Sequence, residues 1–360
     1  MKTKICAFLL AVWMVLALGG CGGKDAGEEP PVPPDSQEPP LPSPPPEPEP
    51  YVPAGTNPLT GLPMEPEDEE KRPIAVMLNN LKAAQPQLGI SQADIIYEVP
   101  VEGGITRMLG VYQSVEGIER LGSVRSARPY FVELALGHDA VFVHAGGSQE
   151  AYSNLRSWRV DHMDGVRGGE DAKIFWRDPD RKRNNGYEHS LVTSGKNILD
   201  YLAGASFPTE HDSDWNCLQL FTEDPAQGEP ARQVTLRFSN YKTAVFDYDD
   251  AGGCYRVSQY GKEHLDGSTG QQVQTVNLLV LETSIGVISG DTEGRLRVKT
   301  TGEGTGTYFR QGKAIPIQWS RNDRNSPFVY RTAEGEPLAL GQGNSYVCII
   351  TPRVSTLQYE

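Results

Sequence analysis

Long apolar runs are absent from this chain of 360 residues except at its start. The exception, the 16 residues from Ile5 to Gly20, falls short of the roughly 20 that a membrane-spanning helix needs. Cysteine is scarce as well: there are five, and none stands in a C-x-x-C pair, so neither a zinc ribbon nor a dithiol redox centre is indicated. Six histidines occur without H-E-x-x-H spacing, and the G-x-S-x-G elbow of a serine hydrolase is missing. Lysine and arginine form no long basic stripe. A nucleic-acid partner, which requires many phosphate-neutralising cations, is therefore not expected.

What is present begins with Lys2 and Lys4, the apolar run, and then Leu18, Gly19, Gly20 and Cys21. A basic start, an apolar stretch and small residues before a cleavage point have the layout of a secretory signal. The last four residues resemble the lipobox of bacterial lipoproteins. Cleavage before Cys21 would leave a lipid-modified N-terminus, so residues 1–20 are expected to be a signal peptide and Cys21 the lipidation site. The expected location is the outer face of the cell membrane. Cys217, Cys254 and Cys348 remain in the body of the protein, enough for one disulfide at most, and are expected to be buried apolar side chains.

The formal charge is −14. Lys2 and Lys4 bring +2, and residues 24–70 hold one lysine against twelve acids, so residues 71–360 carry only about −5. Between Pro30 and Pro53, 13 of 24 residues are proline. Each proline fixes φ and removes a donor, and the interspersed acids repel, which makes residues 21–70 an extended tether. At about 3.1 Å per residue, the proline-rich part alone would reach roughly 75 Å.

Beyond the tether the pattern is α+β: an N-terminal α/β layered domain over 71–205, a linker over 206–231, and a mostly β C-terminal domain over 232–360. Residues 71–79 read as a buried strand. Residues 95–101 and 105–112 read as a hairpin turning at Gly103-Gly104. Helices are expected over 129–136, where proline opens and Gly137 closes the element, over 149–158, and over 195–202. After residue 232, short strands recur between glycine turns. The charged run 178–185 reads as a solvated loop, and 247–253 as a hairpin turn rather than a calcium loop, because it lacks the acid at the twelfth position.

Several segments together resemble the YerB-like lipoproteins of Gram-positive bacteria. They are Arg72-Pro-Ile-Ala-Val-Met77, Ala93-Asp-Ile-Ile-Tyr-Glu98, Glu102-Gly-Gly-Ile-Thr-Arg107, Ser123-Val-Arg-Ser-Ala-Arg-Pro-Tyr130, His144-Ala-Gly-Gly-Ser148, Gly312-Lys-Ala-Ile-Pro-Ile-Gln-Trp319 and Ser326-Pro-Phe328. Gln85 stands where the family pattern has arginine. The resemblance implies a lipid-anchored, two-domain envelope protein and brings no catalytic residues with it.

Three constellations carry possible chemistry. With Gly103-Gly104 as a two-residue loop, Glu98, Glu102 and Arg107 fall on one face of the hairpin, either as an acid/base pair split by the arginine or, by preference, as a cross-strand ion cluster. Arg125 and Arg128 precede the helix opened by Pro129, a setting that suits a carboxylate or phosphate unless both are tied to Glu98, Glu102 or Glu133. His144 and Ser148 lie where a strand end runs into a helix, with Ser148 also a natural cap; His189 and the pair His162 and Asp164 are candidate partners. No cofactor or metal is expected. The sequence points to a binding or scaffolding module for an anionic or glycan envelope ligand, its protein partner unidentified. The competing expectation is a hydrolase of cell-wall polymers, which needs Glu102, His144 and His189 to converge.

Overall fold

The computed structural model describes residues 55–212, 215 and 219–360. The signal segment, Cys21, the proline-rich stretch and Cys217 lie outside the described residues. The centre is an eleven-stranded mixed sheet. From one edge it runs through Glu229–Pro230, Lys313–Arg321, Gly302–Arg310, Asn277–Glu282, Ser345–Ile350, Ile95–Pro100, Thr106–Tyr112, Ile74–Asn79, Val141–His144 and His162–Asp164, with Val329–Thr332 paired beside Lys313–Arg321. The two halves of the chain meet inside this sheet, where Ser345–Ile350 runs parallel to Ile95–Pro100. They thereby share one compact unit.

Both faces of the sheet are covered, which explains why its strands read as nearly continuous apolar runs. In Ile74–Asn79 all six residues are buried. Ile74, Val76 and Leu78 join one core with Val234, Phe246 and Val257 of a second, six-stranded sheet. Ala75 and Met77 point the other way, into a core with Phe131, Val132 and Leu155 of the helices Pro129–Leu136 and Gln149–Ser157. The alternation is the two-residue period of a strand, with an apolar layer on either side.

Local chemistry sets the helix ends. Pro129 opens its helix and Gly137 follows its last residue. Ser148 and Ser194 cap Gln149–Ser157 and Gly195–Leu202, accepting from the amides of Ala151 and Asn197. The helices expected in the N-terminal half are found at Pro129–Leu136, Gln149–Ser157 and Gly195–Leu202, and the C-terminal half is mostly strands. The run 178–185 is a correction: it forms the helix Pro179–Asn184, capped by the Asp178 side chain. Its Arg181 is buried, donating to the carbonyl oxygens of Ala84, Pro86 and His189. The Asp-Pro start was legible as a cap, and the charge run obscured it. The turn expected over 247–253 is narrower: residues 250–253 make it, between the paired Asp249 and Cys254, and 247–249 belong to the strand.

The parallel strands Ile74–Asn79, Val141–His144, His162–Asp164, Ile95–Pro100 and Ser345–Ile350 all end at the same edge of the sheet. In open sheets of this kind, ligands bind at that edge.

Candidate functional site

The hairpin that brings carboxylates to this edge differs from the sequence expectation by one residue. Glu98 pairs with Met108, Val99 with Arg107 and Pro100 with Thr106, so the loop is Val101–Ile105 rather than two glycines. Gly103 and Gly104 both adopt left-handed backbone, φ 77° and 73°, and the Val101 amide donates to Ile105 across the wider loop. A one-residue slip exchanges faces. Glu98 therefore does not share a face with Arg107, and the expected cluster of Glu98, Glu102 and Arg107 divides in two.

The first part is an arginine cluster around a single carboxylate. Arg128 bonds both oxygens of Glu102, with Nε at 3.1 Å, and its third nitrogen donates to the Ala127 carbonyl. Arg107 reaches the same carboxylate at 3.3 Å and the Ser126 carbonyl at 2.9 Å. Arg125 donates to the Glu188 carbonyl at 3.0 Å, and its Nε is buried without a hydrogen-bond partner. Burial works against the charge of Glu102, but the Arg128 hydrogen bond and the charges of Arg107 and Arg128 outweigh it and hold the carboxyl below its usual value. Burial and the neighbouring charge of Arg128 push Arg107 down to about 10. Burial also lowers Arg125, although Glu188 works against the shift. Two guanidinium groups thus hold one carboxylate, and a third, Arg125, stands near them under the field of Glu188, so arginines outnumber the carboxylates around them by three to two.

His144 sits in a separate group. Its side chain is fully buried, Nδ1 donates to the Gly146 carbonyl at 2.8 Å, and Nε2 accepts from His162 Nδ1 at 3.0 Å. Burial pushes it down to about 4, with Asp164 opposing, so it is neutral at pH 7. Asp164 accepts from the amides of Gly146 and Val166 and from the Tyr152 hydroxyl, which fixes the loop after the strand. Ser148 is the helix cap. His189 bonds Asn79 at 2.9 Å, and burial lowers its pKa, helped by the Arg125 charge. Among the described residues no hydrogen bond joins Glu102, His144 and His189 to one another.

Glu98 belongs to a buried network on the other face, which sequence reasoning missed. It accepts from Asn80 at 2.8 Å, Thr106 at 2.5 Å and Tyr346 at 2.5 Å, and pairs with Lys242 at 3.1 Å. Burial lowers the Lys242 pKa against the pull of Glu98. Lys242 also donates to Gln259, and Asn80 links onward through Gln87 to His264. Glu98 comes from one half of the chain, and Lys242 and Tyr346 come from the other. No spacing in the sequence marks contacts between residues so far apart.

The family described as "Protein of unknown function (DUF3048) N-terminal domain" matches residues 59–208, and its C-terminal counterpart matches residues 234–347. A Bacillus subtilis (strain 168) protein described as "Putative lipoprotein YerB" is 33% identical over 295 residues, 81% of this chain and 85% of its own length. The crystal structure of the YerB protein from Bacillus subtilis superposes with a TM-score of 0.73 at 31% identity, covering 84% of this chain and 99% of that one.

Proposed function

Because the chain belongs to the DUF3048 family and is 33% identical to a protein described as "Putative lipoprotein YerB", we propose that it is a lipid-anchored envelope protein whose folded part binds an anionic ligand. Cys21 is the anchor in this reading, and the proline-rich stretch is a spacer that carries the folded part away from the bilayer. The observation that carries the ligand is the imbalance at the strand ends: Arg107, Arg125 and Arg128 gather with one carboxylate in contact. Arg125 makes no ion pair among the described residues and keeps an unpartnered nitrogen. A phosphate or carboxylate on an envelope polymer offers the planar or tripodal oxygens a guanidinium fork binds best. Arg125 is the ligand's main contact; Arg107 and Arg128, held by Glu102, supply the field. His144, Ser148 and His189 shape the surrounding loops.

Calorimetric titration tests this. The mature chain, unlipidated through Cys21→Ser, is titrated with a short poly(glycerol phosphate) and with a neutral glycan fragment at low and high salt. The reading expects heat from the polyanion that weakens with salt, since screening shortens to about 3 Å at 1 M. Equal binding of the neutral glycan, or no binding of any anion, contradicts it.

A further inference from the structure

We propose that the ligand is an anionic amphiphile, an isoprenoid or acyl chain carrying a phosphate, with its chain lying in a groove that passes the arginine cluster; this rests on the anion reading above. Two crevices that share Leu296 line its course; Arg107, Arg125 and Arg128 line neither, and the cluster is reached through Glu102, next to Val101 of the first, and Arg128, next to Pro129 of the second. The first, about 310 Å³, is walled by the hairpin loop at Pro100, Val101 and Gly104 and by Phe238, Val287 and Val354. The second, about 350 Å³, holds Pro129, Tyr130, Asn154, Trp158 and Lys299. Leu296 lines both, and the Tyr130 hydroxyl donates to the Pro100 carbonyl at 3.1 Å where they meet. Each is within the roughly 300–1,000 Å³ typical of small-ligand sites.

The chemistry divides along the groove. At the first crevice, Val287 and Val354 are 65% and 61% exposed, an apolar rim left open to water. Gly103 and Gly104 place no side chain there, and nothing lies within 4 Å of the position a Gly103 Cβ would take. At the junction the chain passes from Val101 to Glu102, whose carboxylate turns back onto Arg128 and Arg107. Arg128 immediately precedes Pro129 of the second crevice, where Arg297 and Lys299 add positive charge against Glu133 and Glu150. Glu133 is itself engaged by Thr300. An apolar trough joined through Val101 to the arginine-held Glu102 complements a molecule with an apolar chain and a phosphate head.

The test measures binding of farnesyl phosphate, inorganic phosphate and farnesol to the mature Cys21→Ser chain, below the micelle concentration of each lipid. Farnesyl phosphate should bind at least about tenfold more tightly than either part alone, because its buried methylenes add to the phosphate contact. Val287→Asp and Val354→Asp, on exposed positions that leave folding intact, should remove most of that gain and leave phosphate affinity unchanged; Leu220→Asp, at a position 54% exposed and outside both crevices and the arginine cluster, should change neither. If phosphate binds and the chain adds nothing, or if the aspartates have no effect, the amphiphile is wrong and the anion reading survives. If neither phosphate nor farnesyl phosphate binds, both fall. A chain that sediments as a dimer split by Val287→Asp would assign the groove to a second copy and overturn the proposal.

Discussion

Glu98→Gln should be among the most damaging single substitutions in the folded part. The carboxylate is wholly buried, and so is the Lys242 ammonium 3.1 Å away. Glutamine keeps the shape but removes the charge, leaving Lys242 with the Gln259 carbonyl as its remaining polar contact and giving Asn80, Thr106 and Tyr346 a weaker acceptor. Breaking one side of a buried pair costs about 3–5 kcal/mol. At roughly 2 °C per kcal/mol, the lower end for domains somewhat smaller than this one, the melting temperature should fall by several degrees, about 6 °C. Urea unfolding followed by tryptophan fluorescence, with scanning calorimetry alongside, measures both. The double variant Glu98→Gln/Lys242→Met should be less damaged than the sum of the two singles by about 2 kcal/mol, since it removes the stranded charge as well. Because the pair joins the two halves of the chain, each variant should still unfold in one transition. A loss under about 1 kcal/mol for Glu98→Gln, or strict additivity in the double variant, would refute the reasoning.

Acid should destabilise the fold from about pH 6.5 downward, through histidines rather than carboxylates. His138 and His264 are pushed down to about 3 by burial, and His144 to about 4, so each takes up a proton in the unfolded chain near pH 6.5 and not in the folded one. Their contribution is complete above pH 6.5 and drains away as pH falls toward 4; Asp94, pushed up to about 6 by burial, opposes it by one proton between about pH 4 and 6. Near pH 5 these four groups leave a balance of two protons, about 3 kcal/mol per pH unit, to which His162 and His189, also lowered by burial, add in the same direction; urea midpoints measure it, and a flat profile between pH 7 and 5 would contradict it. Gly195→Ala would place a Cβ 1.8 Å from the Val115 carbonyl oxygen, and should cost about 3 kcal/mol or more in the same assay, whereas wild-type stability would show that the helix start gives way freely. Cys21→Ala should abolish palmitate labelling and release the protein from the membrane fraction, and normal labelling would end the lipoprotein reading.

Much of the architecture was legible because it is local. Pro129 and Gly137 bracket a helix, serines at 148 and 194 cap two more, and short β-rich runs between glycines mark the later strands. The arginine pair before Pro129 was also visible, and Glu102 was one of three acids offered as its partners; of the two arginines only Arg128 takes it. What escaped depends on geometry that spacing does not encode. The hairpin register hinged on whether Gly103 and Gly104 alone made the turn; five residues do, and Glu98 changes face. Lys242 and Tyr346 meet Glu98 from 144 and 248 positions away, through pairing between strands of different halves. Arg181 looked like part of a solvated charge run, and its burial follows from a helix packed on the loop at Ala84–Pro86.

The central claim is that the strand-end arginines hold a ligand anion rather than only one another's partners. Arg125 is the residue to change, because Arg107 and Arg128 are already bound to Glu102 and Arg125 is not. The measurement is the calorimetric affinity of the Arg125→Lys chain for poly(glycerol phosphate), set beside that of the wild type, with the melting temperature recorded on the same samples. Lysine keeps the charge and loses the fork, and hydrogen bonds to charged groups are worth about 1.5–3 kcal/mol, so affinity should drop by roughly tenfold or more at a nearly unchanged melting temperature. An unchanged affinity together with a lowered melting temperature would mean that Arg125 serves the fold alone, and the account of the site would be wrong.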